Sequence, residues 1–351
     1  MRGTALSWLQ SFLQDRKQYV SVTHAPPGAT GGSFTSDMAD VNLGVPQGSI
    51  LAPILFISYI NDVIGAIDPR WAPTLFADDA TFVISSSKNE DLEEACNSGV
   101  GLLLDWFSVN SLYLNSTKTT YLRFHTAQNK NSSDLLLKAG IETIPRSSFT
   151  KFLGLTIDEN LNWKEHCRLL CGKLNSLCYM IRNLRDILPP GNLLSIYNAY
   201  AGSRLHYGIC FWGDSAAAKD VFLAQKRVVK CMLGVSRDTT CRARFASMGI
   251  LTLAGIYIYE LGKFIFVNRS NYLQSSDVHA HYTRGRNNLR VPRSRLNIGK
   301  SAPQNIGRAV FNNLPQHIRD SKNIVVFKNK LKHYLVKHEF YSLDEYWSYV
   351  V

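Results

Sequence analysis

Two adjacent carboxylates, Asp78 and Asp79, interrupt the otherwise apolar stretch TLFADDATFVI at residues 74–84. Unpaired charge is expensive to bury, so this pattern predicts two strands joined by a turn that holds the pair at an exposed tip. Carboxylate oxygens presented in this way suit Mg²⁺, which proteins usually bind through one or two carboxylates together with substrate phosphates. The alternative is a solvent-facing hairpin turn without chemistry, because aspartate favours turns.

The segments around this pair predict an α+β fold. The stretch ALSWLQSFLQD near the start has helical spacing, and QYVSVTH after it alternates as a strand does. Further extended stretches are TTYLRFH, DLLLKAG and FTKFLGLTI, and residues 89–109 predict an amphipathic helix. Helices and strands in this order favour an antiparallel sheet with helices on one face.

The helix that precedes the acidic pair has a recognisable start. Ser49 is a candidate N-cap, and the apolar spacing from Ile50 to Ile67 predicts a buried helix.

The pattern changes near residue 160. From Trp163 to Leu233 helical spacing takes over almost throughout, and it continues in LTLAGIYIYELGKFIFVN. A basic, Gly/Asn/Ser-rich stretch then predicts loop, and residues 325–337 predict a final amphipathic helix. We therefore predict three domains, at residues 1–160, 161–235 and 236–351.

Positive charge is concentrated at the C-terminal end. The chain of 351 residues has a net charge of +12, and residues 236–351 contain 18 Lys and Arg against 7 Asp and Glu. Residues 278–319 have no acidic residue, and their cations include Arg284, Arg286, Arg290, Arg293 and Arg295. Such a run would neutralise phosphates in a salt-sensitive manner; the alternative is a solvated, loosely ordered segment.

Composition indicates an intracellular protein. With 45% hydrophobic and 19% charged residues the chain can bury a core, so it is not a disordered tail. The longest apolar run is too short to span a bilayer, and we expect no secretion signal and no membrane partner. Seven cysteines, three of them on one predicted helix, are expected to be small apolar helix-face residues rather than zinc ligands. We expect the protein in the nucleus, the cytoplasm or both.

Two stretches together carry a resemblance to a known family. GVPQGSILAPILF, residues 44–56, and FADD, residues 76–79, resemble the template-contacting and metal-binding motifs of non-LTR (LINE-type, jockey-like) reverse transcriptases, at the separation typical of that family. LNSTKT, KFLGLTID, LHYGICFWG and residues 311–335 resemble its later segments in the same order.

The resemblance implies a palm with a primer-grip hairpin at residues 1–160, a helical thumb at 161–235 and a basic C-terminal region. It implies two-metal nucleotidyl transfer with Asp78 and Asp79 as catalytic ligands of Mg²⁺ or Mn²⁺, and an RNA template, a DNA primer and dNTP as partners. The residues implied for template and nucleotide binding are Gly44, Pro46, Gln47, Gly48 and Lys118. Those implied for the primer grip are Phe152, Leu153 and Gly154.

The sequence departs from the family at one point. An earlier strand, commonly with a pattern such as KAFD, supplies a further metal-binding aspartate, and none of Asp15, Asp37 and Asp40 lies at the end of such a strand. The expectation is an N-terminally truncated chain without the first catalytic aspartate, the fingers and the endonuclease, with weak metal binding and negligible activity alone. A nucleic-acid-binding module without chemistry, and a relic that does not fold stably, are the alternatives.

Overall fold

The computed structural model describes residues 2–24, 31–126, 128, 134–236, 238–277 and 286–349. Within these ranges helices alternate with short antiparallel strands, which agrees with the predicted α+β class. None of the described helices is long and apolar enough to cross a membrane.

The described strands are short. They are β1 (Lys17–Gln18), β2 (Ser21–His24), β3 (Gly32–Thr35), β4 (Ala39–Asp40), β5 (Trp71–Phe76), β6 (Asp79–Ile84), β7 (Lys138–Ala139), β8 (Glu142–Thr143), β9 (Phe149–Phe152) and β10 (Leu155–Asp158).

These strands pair only in twos, as β1 with β4, β2 with β3, β5 with β6, β7 with β8 and β9 with β10. The predicted single antiparallel sheet is therefore wrong for the described residues. The stretch TTYLRFH also forms no strand there; it makes isolated backbone bonds, such as that from Tyr121 N–H to the Pro145 carbonyl at 3.1 Å. Alternation identifies extended backbone but carries no information on which strand lies beside which.

Helices make up most of the C-terminal half. The described helices are α1 (Thr4–Leu13), α2 (Ala52–Ile60), α3 (Asn89–Val109), α4 (Lys164–Leu184), α5 (Pro190–Tyr197), α6 (Ser203–His206), α7 (Ile209–Trp212), α8 (Ala218–Leu233), α9 (Arg242–Ser247), α10 (Leu253–Asn268), α11 (Asn297–Lys300), α12 (Pro303–Asn312), α13 (Gln316–Arg319), α14 (Ile324–His338) and α15 (Leu343–Ser348). A 3₁₀ turn, Asn61–Gly65, extends α2.

The chain divides into two compact units. The N-terminal unit contains Met1–Tyr121 and Asp134–Pro145, and the C-terminal unit contains Leu122–Ser133 and Arg146–Val351. The β9–β10 hairpin thus belongs to the C-terminal unit, whereas the change of sequence pattern lies after it, near residue 160. The predicted functional domains stay a prediction.

The N-terminal unit has a small core in which Val63, Trp71, Cys96 and Leu103 are buried together. The predicted N-cap is wrong in position, because α2 begins at Ala52 with Leu51 as its N-cap; the Ser49 hydroxyl nevertheless accepts from the Ala52 N–H at 3.1 Å. The predicted burial of the following helix holds only in part: Ile50 is 90% exposed and Ile54 and Ile57 face solvent, whereas Ala52 and Ile60 of α2 are buried. Spacing defines a helix, but burial requires a facing surface.

The C-terminal unit has the larger core, to which α4, α8, α10, α12 and α14 all contribute buried side chains. The predicted helices at 163–233, 251–268 and 325–337 are confirmed. The basic stretch is only partly loop as predicted, because α12 and α13 lie within it and bury Val310 and Ile318 completely. Their apolar residues recur at helical spacing among the polar ones.

The cysteines on α4 behave as predicted. Cys167 and Cys178 are buried and all seven cysteines are free thiols. Burial raises the pKa of Cys167 to about 11 and that of Cys178 to about 12, so both are uncharged apolar side chains at neutral pH.

Candidate active site

The acidic pair lies at the tip of the β5–β6 hairpin, as predicted. Phe76 pairs with Asp79, which leaves Ala77 and Asp78 as a two-residue loop. Both carboxylates are exposed, and no other described residue forms a hydrogen bond or an ion pair with either of them. Two free carboxylates at a solvent-facing turn are suitable ligands for a hard divalent cation.

Trp71 anchors the base of this hairpin. Its side chain is buried, and its indole N–H donates to the Ala95 carbonyl on α3 at 3.1 Å. The indole also packs on Phe82 of the paired strand, with 5.0 Å between ring centroids. A Cβ atom at Gly99 would lie 2.2 Å from the indole ring, so α3 admits this ring only because residue 99 has no side chain. Trp71 therefore fixes the hairpin to α3.

A second anchor lies in the turn before β5. Asp68 is buried, and its carboxylate accepts from the Arg70 backbone N–H at 2.8 Å and from the Arg70 guanidinium at 2.6 Å. The Arg70 side-chain and backbone hydrogen bonds lower the pKa of Asp68 to about 2. Because Trp71 follows directly, this turn sets the position at which β5 begins.

Unfolding of the N-terminal unit should therefore depend on pH below about pH 4. The folded-state pKa of Asp68 is depressed, so its contribution to the free energy of unfolding is complete above the unfolded-state pKa and is lost as the pH falls towards 2. Urea unfolding, followed at the Trp71 indole N–H resonance from about pH 5 to pH 2, should show this loss.

Asp68→Asn should flatten the pH dependence, since the substituted side chain no longer titrates. Asp62→Asn is the matched control, because Asp62 is exposed on the 3₁₀ turn nearby. Equal pH dependence in the wild type and Asp68→Asn would contradict the assignment.

The GVPQGS segment forms a solvent-facing turn before α2. Gly44 and Gly48 have positive φ angles of 74° and 84°, and the Gln47 side chain is exposed. The Ser49 N–H donates to the Pro46 carbonyl at 3.3 Å. The Gly44 carbonyl accepts from the Arg16 guanidinium at 2.6 Å. The predicted contacts of this turn with template and nucleotide stay a prediction.

Lys118 also lies in an exposed turn of the N-terminal unit. Its backbone N–H donates to the Asn115 carbonyl at 3.1 Å, and the Thr119 hydroxyl donates to the same oxygen at 2.8 Å. The backbone of the turn is thus held in place, whereas the Lys118 side chain extends into solvent. Its predicted role beside a triphosphate stays a prediction.

The β9–β10 hairpin contains the three residues predicted for the primer grip. Phe152 pairs with Leu155, and the two loop residues, Leu153 and Gly154, have φ angles of 45° and 85°. Positive φ at both positions is the signature of a type I′ turn, whose twist matches that of paired strands. The sequence prediction of a hairpin here is confirmed, and its role in gripping a primer stays a prediction.

Tyr207 and Gly208, which were not predicted as site residues, hold this hairpin. The Tyr207 hydroxyl donates to the Leu153 carbonyl, and the Tyr207 ring lies 3.3 Å from the position a Cβ would take on Gly154. At Gly208 a Cβ would lie 2.7 Å from Leu155. The available signal was a glycine that interrupts an apolar helical pattern, which indicates close backbone approach.

The arginines predicted to bind nucleic acid lie in the C-terminal unit. Arg284 lies outside the described residues, whereas Arg286, Arg290, Arg293 and Arg295 are described and exposed. The structure thus brings Asp78 and Asp79, the GVPQGS turn and Lys118 into one unit, and the β9–β10 hairpin and these arginines into the other.

Comparison with known proteins places these features in a family. Residues 5–157 match the family model for reverse transcriptase (RNA-dependent DNA polymerase). A probable RNA-directed DNA polymerase from transposon X-element of Drosophila melanogaster is 24% identical over 219 residues, which cover 59% of this chain and 24% of that protein. The RNA-directed DNA polymerase from mobile element jockey of the same species is 25% identical over 221 residues, which cover 59% of this chain and 22% of that protein.

A third relative, the Pol polyprotein from type-1 retrotransposable element R1 of Bradysia coprophila, is 27% identical over 146 residues, which cover 41% of this chain and 14% of that protein. No solved structure matches. The chain spans about a quarter or less of the length of these curated relatives.

Residues 5–157, with the carboxylate hairpin and the GVPQGS turn, belong to the reverse transcriptase family. Over 59% of its length the chain is similar to the jockey-like polymerases of mobile elements among these relatives.

Proposed function

We propose that this chain carries the metal-holding part of a reverse transcriptase palm, whose reaction in the family is RNA-directed DNA synthesis by nucleotidyl transfer to a primer 3′-hydroxyl. The observation that carries the proposal is the exposed carboxylate pair at the β5–β6 tip, inside the segment that matches the family. The β9–β10 hairpin then serves as the primer grip, and α4 to α8 form the thumb. RNA template, DNA primer and dNTP are the proposed partners.

Asp78 and Asp79 are the residues that would hold Mg²⁺ or Mn²⁺. A bound ion supplies Lewis-acid activation of the primer hydroxyl and neutralises phosphate charge. A pair of ions calls for more anionic ligands than two adjacent carboxylates provide. Among the described residues no group of three His, Cys, Asp or Glu side chains could hold a metal ion. We therefore propose that the tip binds metal weakly.

The metal proposal predicts selective binding of Mn²⁺ at the hairpin tip. Titration should broaden the amide resonances of Ala77, Asp78 and Asp79 first, with a dissociation constant of about a millimolar, as for open sites with few carboxylates. Asp78→Asn should weaken Mn²⁺ binding by about tenfold, because the Asp79 carboxylate would then be the one remaining carboxylate ligand at the tip. Asp37→Asn is the control, since Asp37 is another exposed aspartate of the same unit. Equal broadening of the amide resonances around Asp37 and around Asp78 would contradict the proposal.

Primer extension tests the catalytic part. We expect the 351-residue chain alone to incorporate nucleotides on a primed RNA template only negligibly, because two adjacent carboxylates provide fewer anionic ligands than a pair of catalytic ions calls for. Templated incorporation by the purified chain, abolished by Asp78→Ala, would show that two carboxylates suffice.

A second candidate function is nucleic-acid binding without chemistry. It is favoured by the exposed Arg290, Arg293 and Arg295 in a stretch, residues 278–319, that has no acidic residue. Binding that weakens steeply with salt and survives Asp78→Ala would support it, because phosphate contacts release counterions.

A further inference from the structure

The segment at Asn288 and Leu289, within the basic stretch, is fixed by side chains of α12 and α13. The Asn312 side chain on α12 makes two hydrogen bonds to the backbone of Leu289, accepting from its N–H at 2.9 Å and donating to its carbonyl at 2.8 Å. The Leu289 side chain is buried in the core. Arg319 on α13 donates to the Asn288 side chain at 2.9 Å. A segment expected from its composition to be a loose loop is therefore held against two helices.

The same segment is paired on its other side. The Arg290 N–H donates to the Leu273 carbonyl at 2.8 Å, and the Ser275 N–H donates to the Asn288 carbonyl at 2.9 Å. The Arg308 guanidinium donates to the Arg290 carbonyl at 2.8 Å, which ties the segment to α12. Arg290 thus projects an exposed side chain from a backbone that is hydrogen-bonded on both edges.

Arg308 also lies over the Tyr272 ring, with 4.9 Å from the guanidinium carbon to the ring centroid. Three of its nitrogens donate to oxygens within the unit, those of Gln304, Asn305 and Arg290. Arg308 is therefore fixed by these hydrogen bonds, and its guanidinium holds the Tyr272 ring in place.

Between these groups lies a pocket of about 280 Å³, lined by Asn271, Tyr272, Leu273, Arg290, Pro292 and Arg308. Its volume is near the lower end of the range for small-molecule sites, about 300–1,000 Å³. Tyr272 and Leu273 form an aromatic and apolar part of its lining, and the Leu273 side chain is 57% exposed. Arg290 lines the same pocket. An aromatic and apolar wall beside a cation is the combination that binds a base and its phosphate.

We propose that this pocket holds one nucleotide of a single-stranded nucleic acid, with the base against Leu273 and Tyr272 and a phosphate at Arg290. The inference deepens the proposed nucleic-acid function and rests on it. A flat charged surface would bind phosphates without regard to the bases, whereas this pocket requires a base. The neighbouring Arg293 and Arg295 do not line it and contribute charge alone.

A larger cleft of about 560 Å³ beside α4 lacks this combination. It is lined by charges of both signs, and two of them, Glu165 and Arg168, bind each other at 2.6 Å. Paired charges leave little net attraction for a polyanion. Among the residues that line the smaller pocket, Arg290 stands beside an apolar wall and none is acidic.

The test compares a thymidylate oligomer of about ten nucleotides with an abasic oligomer of equal length and charge, by fluorescence anisotropy of the full chain at about 50 mM salt. The wild type should bind the thymidylate oligomer about tenfold more tightly. Leu273→Ser and Tyr272→Leu should reduce this preference to about twofold or less, and Arg290→Gln should weaken binding more than Arg295→Gln, the matched control for charge. Thermal unfolding of each variant confirms that it is folded.

The outcomes separate the two proposals. Equal affinity of the wild type for both oligomers, or equal losses in Arg290→Gln and Arg295→Gln, would overturn the pocket while leaving salt-sensitive nucleic-acid binding in place. No binding of either oligomer at low salt would overturn both. A base preference that only the pocket variants lose supports the pocket.

Discussion

Gly208→Ala is expected to destabilise the C-terminal unit by about 3 kcal/mol, the largest effect of any single substitution considered. The residue has a φ of 61°, which costs a side-chain-bearing residue about 1–2 kcal/mol. The added Cβ would lie 2.7 and 2.8 Å from the two Cδ atoms of Leu155, and overpacking of this kind costs about 1–3 kcal/mol. Urea unfolding measures the loss.

Gly249→Ala is the matched control. Gly249 has nearly the same φ, 62°, but a Cβ there would meet no atom within 4 Å. It should therefore cost only the backbone contribution of about 1–2 kcal/mol. Equal losses at the two positions would show that contact with Leu155 has no energetic weight.

The position of the β9–β10 hairpin supplies a second readout. In Gly208→Ala, amide hydrogen exchange at Leu155 and Thr156 should accelerate more than exchange in the core of α10. The added Cβ would displace the β9–β10 hairpin from its contact with Gly208. Combining Gly208→Ala with Leu155→Ala removes the clashing atoms, so the double variant should lose at least about 1 kcal/mol less than the sum of the single losses. Strict additivity would contradict direct contact.

Gly99→Ala is the second substitution with a large expected effect, a net loss of about 1–2 kcal/mol from the N-terminal unit. Helix propensity alone favours alanine by about 1 kcal/mol within a helix such as α3. The built Cβ, however, lies 2.2 Å from the Trp71 indole, so the ring must leave its site and its hydrogen bond to Ala95. Overpacking of about 1–3 kcal/mol, together with about 1 kcal/mol for the lost hydrogen bond, then exceeds the gain in propensity.

Gly101→Ala gives the opposite sign on the same helix. A Cβ at Gly101 meets nothing within 4 Å, so only the propensity gain of about 1 kcal/mol remains. Chemical denaturation of both variants, with the Trp71 indole N–H resonance as a local reporter, measures the difference. Stabilisation by Gly99→Ala would contradict the proposed anchoring of the carboxylate hairpin. Because β5 leads to Asp78, the same substitution should also weaken Mn²⁺ binding at the tip.

The sequence by itself determined the local elements and the candidate chemistry. Alternation and the adjacent aspartates were enough to place a hairpin with its tip at Asp78, because strand period and turn preference are local properties. The amphipathic pattern predicted α3 with its bounds, and Ser49 was correctly placed beside the start of α2, although Leu51 is the N-cap residue. The order of short motifs was sufficient to indicate the family.

Only the tertiary structure decided which elements meet. The strands stayed in pairs, α2 left Ile54 and Ile57 exposed, and the Asn312 side chain held the Leu289 backbone of the basic stretch against α12. Gly99 and Gly208 are similar in the sequence to Gly101 and Gly249, yet Trp71 and Leu155 occupy the space where their side chains would stand. Such contacts join residues far apart in the chain, and they depend on packing in space, which periodicity and propensity do not specify.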